Sequence, residues 1–229
     1  MPTALLFDLD GTLANTDPFH FQAWQTYLRT YGLEIDDRFY RQHISGRLNP
    51  DIVQDLLPQL TPEQGQQVAE EKEAYFRQLA AGLTRMPGLT ELLNWSSAQG
   101  LQQALVTNAP RPNVEFVLTV LDLWEAFPVI VFAAELPVGK PDPAPYQLAL
   151  DKLQVSPEQA IAFEDSASGI RSAVAAGIPT VGVASTHPPA ELRVAGASWV
   201  IQDFRDPQLW TLLSRDGEEG QGAAGSVCR

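Results

Sequence analysis

The residues best placed to do chemistry come early, in Asp8-Leu9-Asp10-Gly11-Thr12, where two carboxylates stand two positions apart at the end of an apolar run. Gly11 permits a tight bend that brings both acids to one pocket, so that one could attack while the other transfers protons. An Asp-rich turn between strand and loop is the competing structural reading. Glu164-Asp165 forms a second acidic pair after an apolar run. Acids in that place often only cap the next helix, but Ser166 and Ser168 are available for the capping. Carboxylates gathered without a cation repel one another and are costly to ionise; a hard cation with oxygen ligands, Mg2+ above all, resolves the repulsion. Lys140 lies in Gly139-Lys140-Pro141-Asp142-Pro143, where proline-bounded geometry holds its ammonium in place. A fixed cation, the Thr107 hydroxyl and neighbouring amides are together what a transferring phosphoryl group demands.

Positioning such distant residues requires a sheet. Short apolar runs recur at Ala4–Phe7, Ala104–Val106, Val129–Ala133, Ile161–Phe163, Thr180–Ala184 and Trp199–Ile201, and several are apolar throughout, which suits parallel strands buried on both faces. Between them lie amphipathic stretches around Leu89–Trp95, Val114–Leu121 and Ile170–Ala176, the last stopped by Gly177. Alternating strand and helix predicts an α/β, Rossmann-like doubly wound parallel sheet. Three runs end in polar groups: Phe7 in Asp8, Val106 in Thr107-Asn108, Phe163 in Glu164-Asp165. Ligands bind beyond the carboxyl ends of such strands, so these groups converge in one crevice.

Residues 15–86 break the alternation. Phe19, Ala23, Trp24, Tyr27 and Tyr31 fit one helix, Asn49-Pro50 opens a second, and Thr61-Pro62-Glu63-Gln64 is a capping box opening a third through Leu79. The reading is therefore a core of residues 1–14 and 87–213, an inserted α-helical cap of residues 15–86, and a glycine-rich disordered tail of residues 214–229. Trp95, Trp124, Trp199 and Trp210 are expected to fill the core or its margin.

Composition narrows the class. The chain has 229 residues and a net charge of −13, a sign that repels nucleic-acid backbones. Its single cysteine, Cys228, allows no intramolecular disulfide, and no run approaches a signal peptide or a membrane span; a cytoplasmic monomer is expected. Neither a dinucleotide fingerprint nor a Walker loop occurs.

These residues, in this order, resemble the haloacid dehalogenase (HAD) superfamily: Asp8 to Thr12 match its first motif, Thr107 its second, Lys140 its third, and Glu164-Asp165 with Ser166 and Gly169 its fourth. The resemblance runs to about Ile201, and the helical insert after motif one places the chain with the β-phosphoglucomutase-like and CbbY-like phosphatases of subfamily IA. It implies that Asp8 is the nucleophile of an aspartyl-phosphate mechanism and Asp10 its general acid and base. It also implies that the Asp8 carboxylate, the Asp10 carbonyl and Asp165 hold Mg2+, with Glu164 near or within the shell. Lys140, Thr107 and the Asn108 amide would share the phosphoryl charge. Dehalogenation is disfavoured by Asp10 and the metal acids. Signalling receiver domains use similar residues, but there the acidic pair follows the first strand and the accepting Asp comes later.

The cap should choose the substrate, a small phosphorylated metabolite. Asn15-Thr16-Asp17 is read as the first hinge, and the stretch through His20 resembles β-phosphoglucomutases, in which the threonine and histidine couple closure to catalysis; His20 packing beside Trp24 is the alternative. Mutases carry a lysine before the glycine corresponding to Gly46 and an arginine three residues after it, to grip a second phosphate. Here Ser45 and Asn49 stand there, leaving Arg47 as one cation or as a solvated side chain. Hydrolysis of a sugar-phosphate-like monoester is the preferred reading, with β-phosphoglucomutase the runner-up. His43 and His187 are given no role, for neither has metal-ligand spacing.

Overall fold

A computed structural model of the chain describes residues 2–215, so the tail beyond Arg215 lies outside the described residues. In chain order the elements are β1 (Ala4–Phe7), α1 (Asp17–Thr30), α2 (Asp37–His43), α3 (Asn49–Leu56), α4 (Pro62–Leu79), α5 (Leu89–Ala98), β2 (Gln102–Thr107) and α6 (Arg111–Val120). There follow β3 (Val129–Phe132), α7 (Ala144–Leu153), β4 (Ala160–Glu164), α8 (Ala167–Ala175), β5 (Thr180–Val183), α9 (Pro189–Ala195), β6 (Trp199–Ile201) and α10 (Pro207–Arg215). The six strands form one parallel sheet in the order β3-β2-β1-β4-β5-β6. Strand order reverses beside β1, which opens a crevice beyond the carboxyl ends of β1, β2 and β4.

Both faces of the sheet are buried, as strands that are apolar throughout require. Leu5, Phe7, Leu105, Phe163 and Val181 point into one core, where Phe7 and Phe163 stack with ring centroids 4.9 Å apart. Ala4, Leu6, Ala104, Val106 and Ala162 point into the other, and the small side chains let α7 and α8 lie close. Packing of this kind is worth roughly 25 cal/mol for each Å² of apolar surface buried.

α1–α4 form a helical layer with its own small core of Trp24, Leu28, Tyr40, Ile52, Val53 and Val68, while Ala23 and Phe76 join the main core. The capping box is in place: Gln64 N donates to Thr61 Oγ1 (3.3 Å) and Thr61 N to Gln64 Oε1 (2.9 Å). Trp95 and Trp210 pack edge to face against the core margin, as expected. Trp124 and Trp199 do not: they are 45% and 38% exposed, Trp124 because its indole N–H donates to Thr119 on the surface, Trp199 because it opens the edge strand.

Candidate active site

Each strand that ends at the crevice delivers a polar side chain into it. Asp8 follows β1, its N–H donating to the Phe163 carbonyl (3.0 Å). Thr107 ends β2, Glu164 ends β4, and Lys140 arrives on the segment between β3 and α7. All four are buried, with Asp165. Lys140 Nζ donates to Asp8 Oδ1 (2.7 Å), 132 residues away in the chain, to Glu164 Oε1 (2.5 Å) and to the Val106 carbonyl (2.7 Å). The Asn108 side chain holds the lysine's backbone, accepting from Lys140 N (3.0 Å) and donating to Lys140 O (3.2 Å). Thr107 Oγ1 accepts from Ala109 N (3.0 Å), which leaves the hydroxyl hydrogen free to donate.

The carboxylates of Asp8, Glu164 and Asp165 bring oxygens within 4.8 Å of one another. Each has one oxygen pinned from behind: Asp8 Oδ1 by Lys140, Glu164 Oε1 by Lys140 and the Tyr146 hydroxyl (2.7 Å), Asp165 Oδ2 by Thr186 Oγ1. Glu164 Oε2 is buried without a hydrogen-bond partner. Burial pushes the Asp8 carboxyl up to about 8, against the pull of Lys140 and with added repulsion from Glu164 and Asp10. Asp165 is likewise raised well above the ordinary range by burial, then by Asp8 and Glu164. Three buried acids with one orphaned oxygen fit a hard divalent cation, which would take the unpinned oxygens and relieve the repulsion. Two glycines make room: at Gly169 a β-carbon would fall 1.9 Å from Glu164 Oε2, and at Gly11 (φ +73°) 2.1 Å from Asp165 Oδ2. Ser166, as anticipated, caps α8 by accepting from Gly169 N (3.1 Å).

Above the crevice stand α1–α4. Asp10 Oδ1 accepts from Thr16 Oγ1 (2.7 Å) and lies 3.6 Å from His20 Nε2. His20 stacks on Phe76 (3.8 Å between centroids), so it both packs and faces Asp10. Asp8, Asp10, His20, Gly46, Arg47, Thr107, Asn108, Lys140 and Asp165 all line one cleft of about 110 Å³; Thr16 and Glu164 stand behind its wall. Arg47 is turned onto its own layer, donating to the carbonyls of His43 (2.9 Å) and Asp51 (3.3 Å) and pairing with Asp55 (2.5 Å).

Sequence reasoning missed several cleft residues. Lys72 and Glu73 lie within it, Lys72 Nζ 2.7 Å from Glu73 Oε1 and 3.0 Å from His20 Nδ1. A signal was available: Val68, Lys72 and Phe76 repeat every four residues, so a charge stands on the buried face of α4. Asn113, Tyr146 and Thr186 had none beyond their types. His187, given no role, has Nδ1 2.9 Å from the Thr186 hydroxyl that pins Asp165.

A doubly wound sheet with an aspartate, a threonine, a lysine and an acidic pair converging at its carboxyl edge is the arrangement of an α/β protein suited to handling a phosphoryl group. Residues 5–183 match the haloacid dehalogenase-like hydrolases. The chain is 35% identical over 207 residues to validoxylamine A 7'-phosphate phosphatase of Streptomyces hygroscopicus subsp. limoneus, covering 88% of this chain and 93% of that one. It is 34% identical over 183 residues to a phosphorylated carbohydrates phosphatase of Thermotoga maritima, covering 78% and 83%. Among solved structures, CbbY of Rhodobacter sphaeroides in complex with phosphate superposes with a TM-score of 0.80 at 29% identity, covering 90% of this chain and 96% of that one. The chain belongs to the haloacid dehalogenase-like hydrolases, and it is a phosphatase of that family. No helix among the described residues is long and apolar enough to cross a membrane.

Proposed function

We propose that the protein is an Mg2+-dependent phosphohydrolase that cleaves a small, sugar-phosphate-like monoester through an aspartyl-phosphate on Asp8. The observation that carries this reading is the buried convergence of Asp8, Lys140, Glu164 and Asp165, with Glu164 Oε2 unpartnered. The Asp8 carboxylate, the Asp10 carbonyl, Asp165 and Glu164 Oε2 would hold the metal. When bound it supplies positive charge against the carboxylates and the phosphoryl oxygens.

Asp8 attacks phosphorus with a carboxylate oxygen; the new O–P bond replaces the bond to the ester oxygen, which leaves with a proton from Asp10. Asp10, now ionised, takes a proton from water, whose oxygen displaces Asp8 and releases inorganic phosphate. The Thr107 hydroxyl and the Asn108 N–H donate to the phosphoryl oxygens, where charge accumulates, and the Lys140 ammonium, its three hydrogens held by Asp8, Glu164 and the Val106 carbonyl, adds positive charge beside them. Thr16 occupies Asp10 Oδ1 and leaves Oδ2 for proton transfer. Acting as a cap, α1–α4 exclude bulk water with Trp24, Tyr40, Ile44 and Ile52.

The test follows glucose 6-phosphate and free phosphate together, from β-glucose 1-phosphate with Mg2+ and a trace of glucose 1,6-bisphosphate, with a wider ester screen beside it. Phosphate release without isomerisation, lost by about 10³-fold or more in Asp8→Asn, is the expected result. Isomerisation without matching phosphate would establish the mutase instead, and full activity in Asp8→Asn would remove Asp8 from the nucleophile's role.

A further inference from the structure

The charges that the cap presents to the cleft already have partners in the protein. Lys72 Nζ is held by Glu73 Oε1 (2.7 Å), and both residues are buried. Glu73 is tied further, accepting from Asn49 Nδ2 at Oε1 (2.7 Å) and from Asn113 Nδ2 at Oε2 (2.6 Å), so the carboxylate cannot swing away. Although burial alone would raise it, the Lys72 ammonium and then His20 hold the Glu73 carboxyl at about 2, and it stays ionised. Lys72 is lowered, burial outweighing its single carboxylate partner. Arg47, the other cap cation on the cleft, gives its guanidinium to Asp55 and two carbonyls. Asp17, also on the cleft, accepts from the Tyr40 hydroxyl (2.7 Å).

We infer that the Lys72–Glu73 pair makes this cleft select phosphomonoesters whose leaving group is an uncharged polyol or sugar, with Glu73 as the specificity-determining residue. The inference rests on the phosphatase reading and narrows its substrate. A second phosphate entering beneath the cap would meet Lys72 and Arg47 already paired with Glu73 and Asp55, and one carboxylate without an ion pair, Asp17. Desolvating it without a partner is costly. Hydroxyls meet no such penalty: the asparagine amides and the remaining lone pairs of Glu73 Oε2 donate and accept at neutral groups. Because a phosphoglucomutase passes through a sugar bisphosphate, the same pair works against mutase chemistry.

The test measures binding to Asp8→Asn protein with Mg2+ by calorimetry, comparing fructose 6-phosphate with fructose 1,6-bisphosphate and glucose 6-phosphate with glucose 1,6-bisphosphate. In at least one pair the monophosphate should bind about tenfold tighter or better, and adding Glu73→Gln, which frees Lys72, should lower that ratio about tenfold. A ratio below about threefold in both pairs, including the case in which neither sugar binds, overturns the inference. So does a ratio that Glu73→Gln leaves unchanged in a folded double variant. Should that variant not fold, the ratios in Asp8→Asn alone decide. Phosphate release from p-nitrophenyl phosphate by the protein with Asp8 intact tests the phosphatase reading separately.

Discussion

Replacing Asp8 by Asn should stabilise the protein in EDTA while removing its activity. The Asp8 carboxyl sits at about 8 in the fold against 3.8 in an ordinary chain, chiefly because it is buried. A group raised in this way lends stability that is complete below the ordinary value and is lost as pH climbs through the folded one. Near pH 7 the cost of that site is on the order of 4 kcal/mol, at 1.36 kcal/mol for each unit of displacement. The amide keeps an oxygen for Lys140 but removes a negative charge from its ammonium, which returns part of the gain. A net gain of about 2 kcal/mol remains, or about 4–8 °C in melting temperature for a chain of this size. Thermal unfolding by circular dichroism from about pH 5 to pH 8 checks it. The wild-type melting temperature should fall across that range more steeply than the variant's, so the gap widens with pH, and Mg2+ should raise the wild type more than the variant. A variant that melts at or below the wild type near pH 7 in EDTA, or one that follows the same pH slope, would refute the electrostatic account of the cluster.

Two further substitutions probe the same acids from behind. In Gly169→Ala the new methyl falls on the Glu164 carboxylate, 1.9 Å from Oε2, and must displace it from Lys140 and Tyr146; the rate should drop about 10²-fold or more with the far-ultraviolet spectrum intact, and a rate within about threefold of wild type contradicts the packing. Tyr146→Phe removes one donor to Glu164 Oε1 and leaves the ring in place; Mg2+ affinity, read by calorimetry, should weaken about tenfold, whereas unchanged affinity would show that Lys140 alone orients the carboxylate.

Stability and function pull against each other in this crevice. Elsewhere the fold pairs its buried charges, as Lys72 with Glu73, but beside Asp8 it gathers three acids around one lysine. A core built only for stability would not do so. The glycines at 11 and 169 belong to the same compromise, giving up side-chain packing so that Asp165 and Glu164 can stand where they do.

The sequence by itself determined the sheet and the acids at its edge. Runs such as Ala4–Phe7 and Ile161–Phe163 are apolar at every position because both faces are covered, and a run that ends in a carboxylate marks where a strand meets the crevice. Helices that bury a regular stripe were legible as well: α4 through its capping box and α8 through Ile170, Ala173 and the stop at Gly177. α2 and α9 were not, because seven-residue helices burying one or two side chains leave no period to read. α7 has the period in Tyr146, Ala149, Leu150 and Leu153, but it starts among Pro141, Pro143 and Pro145, which read as loop. Only the tertiary structure decided which neighbours neutralise which charges. Arg47 had a sequence fit for gripping an anion, yet its hydrogen bonds go to His43, Asp51 and Asp55 of its own helical layer, and Lys72 is held by the next residue in the chain. Local sequence determines where a side chain can point, whereas its free charge depends on partners brought from elsewhere. Glu73 stays aimed at Lys72 because Asn49, 24 residues before it, and Asn113, 40 residues after it, hold its two oxygens.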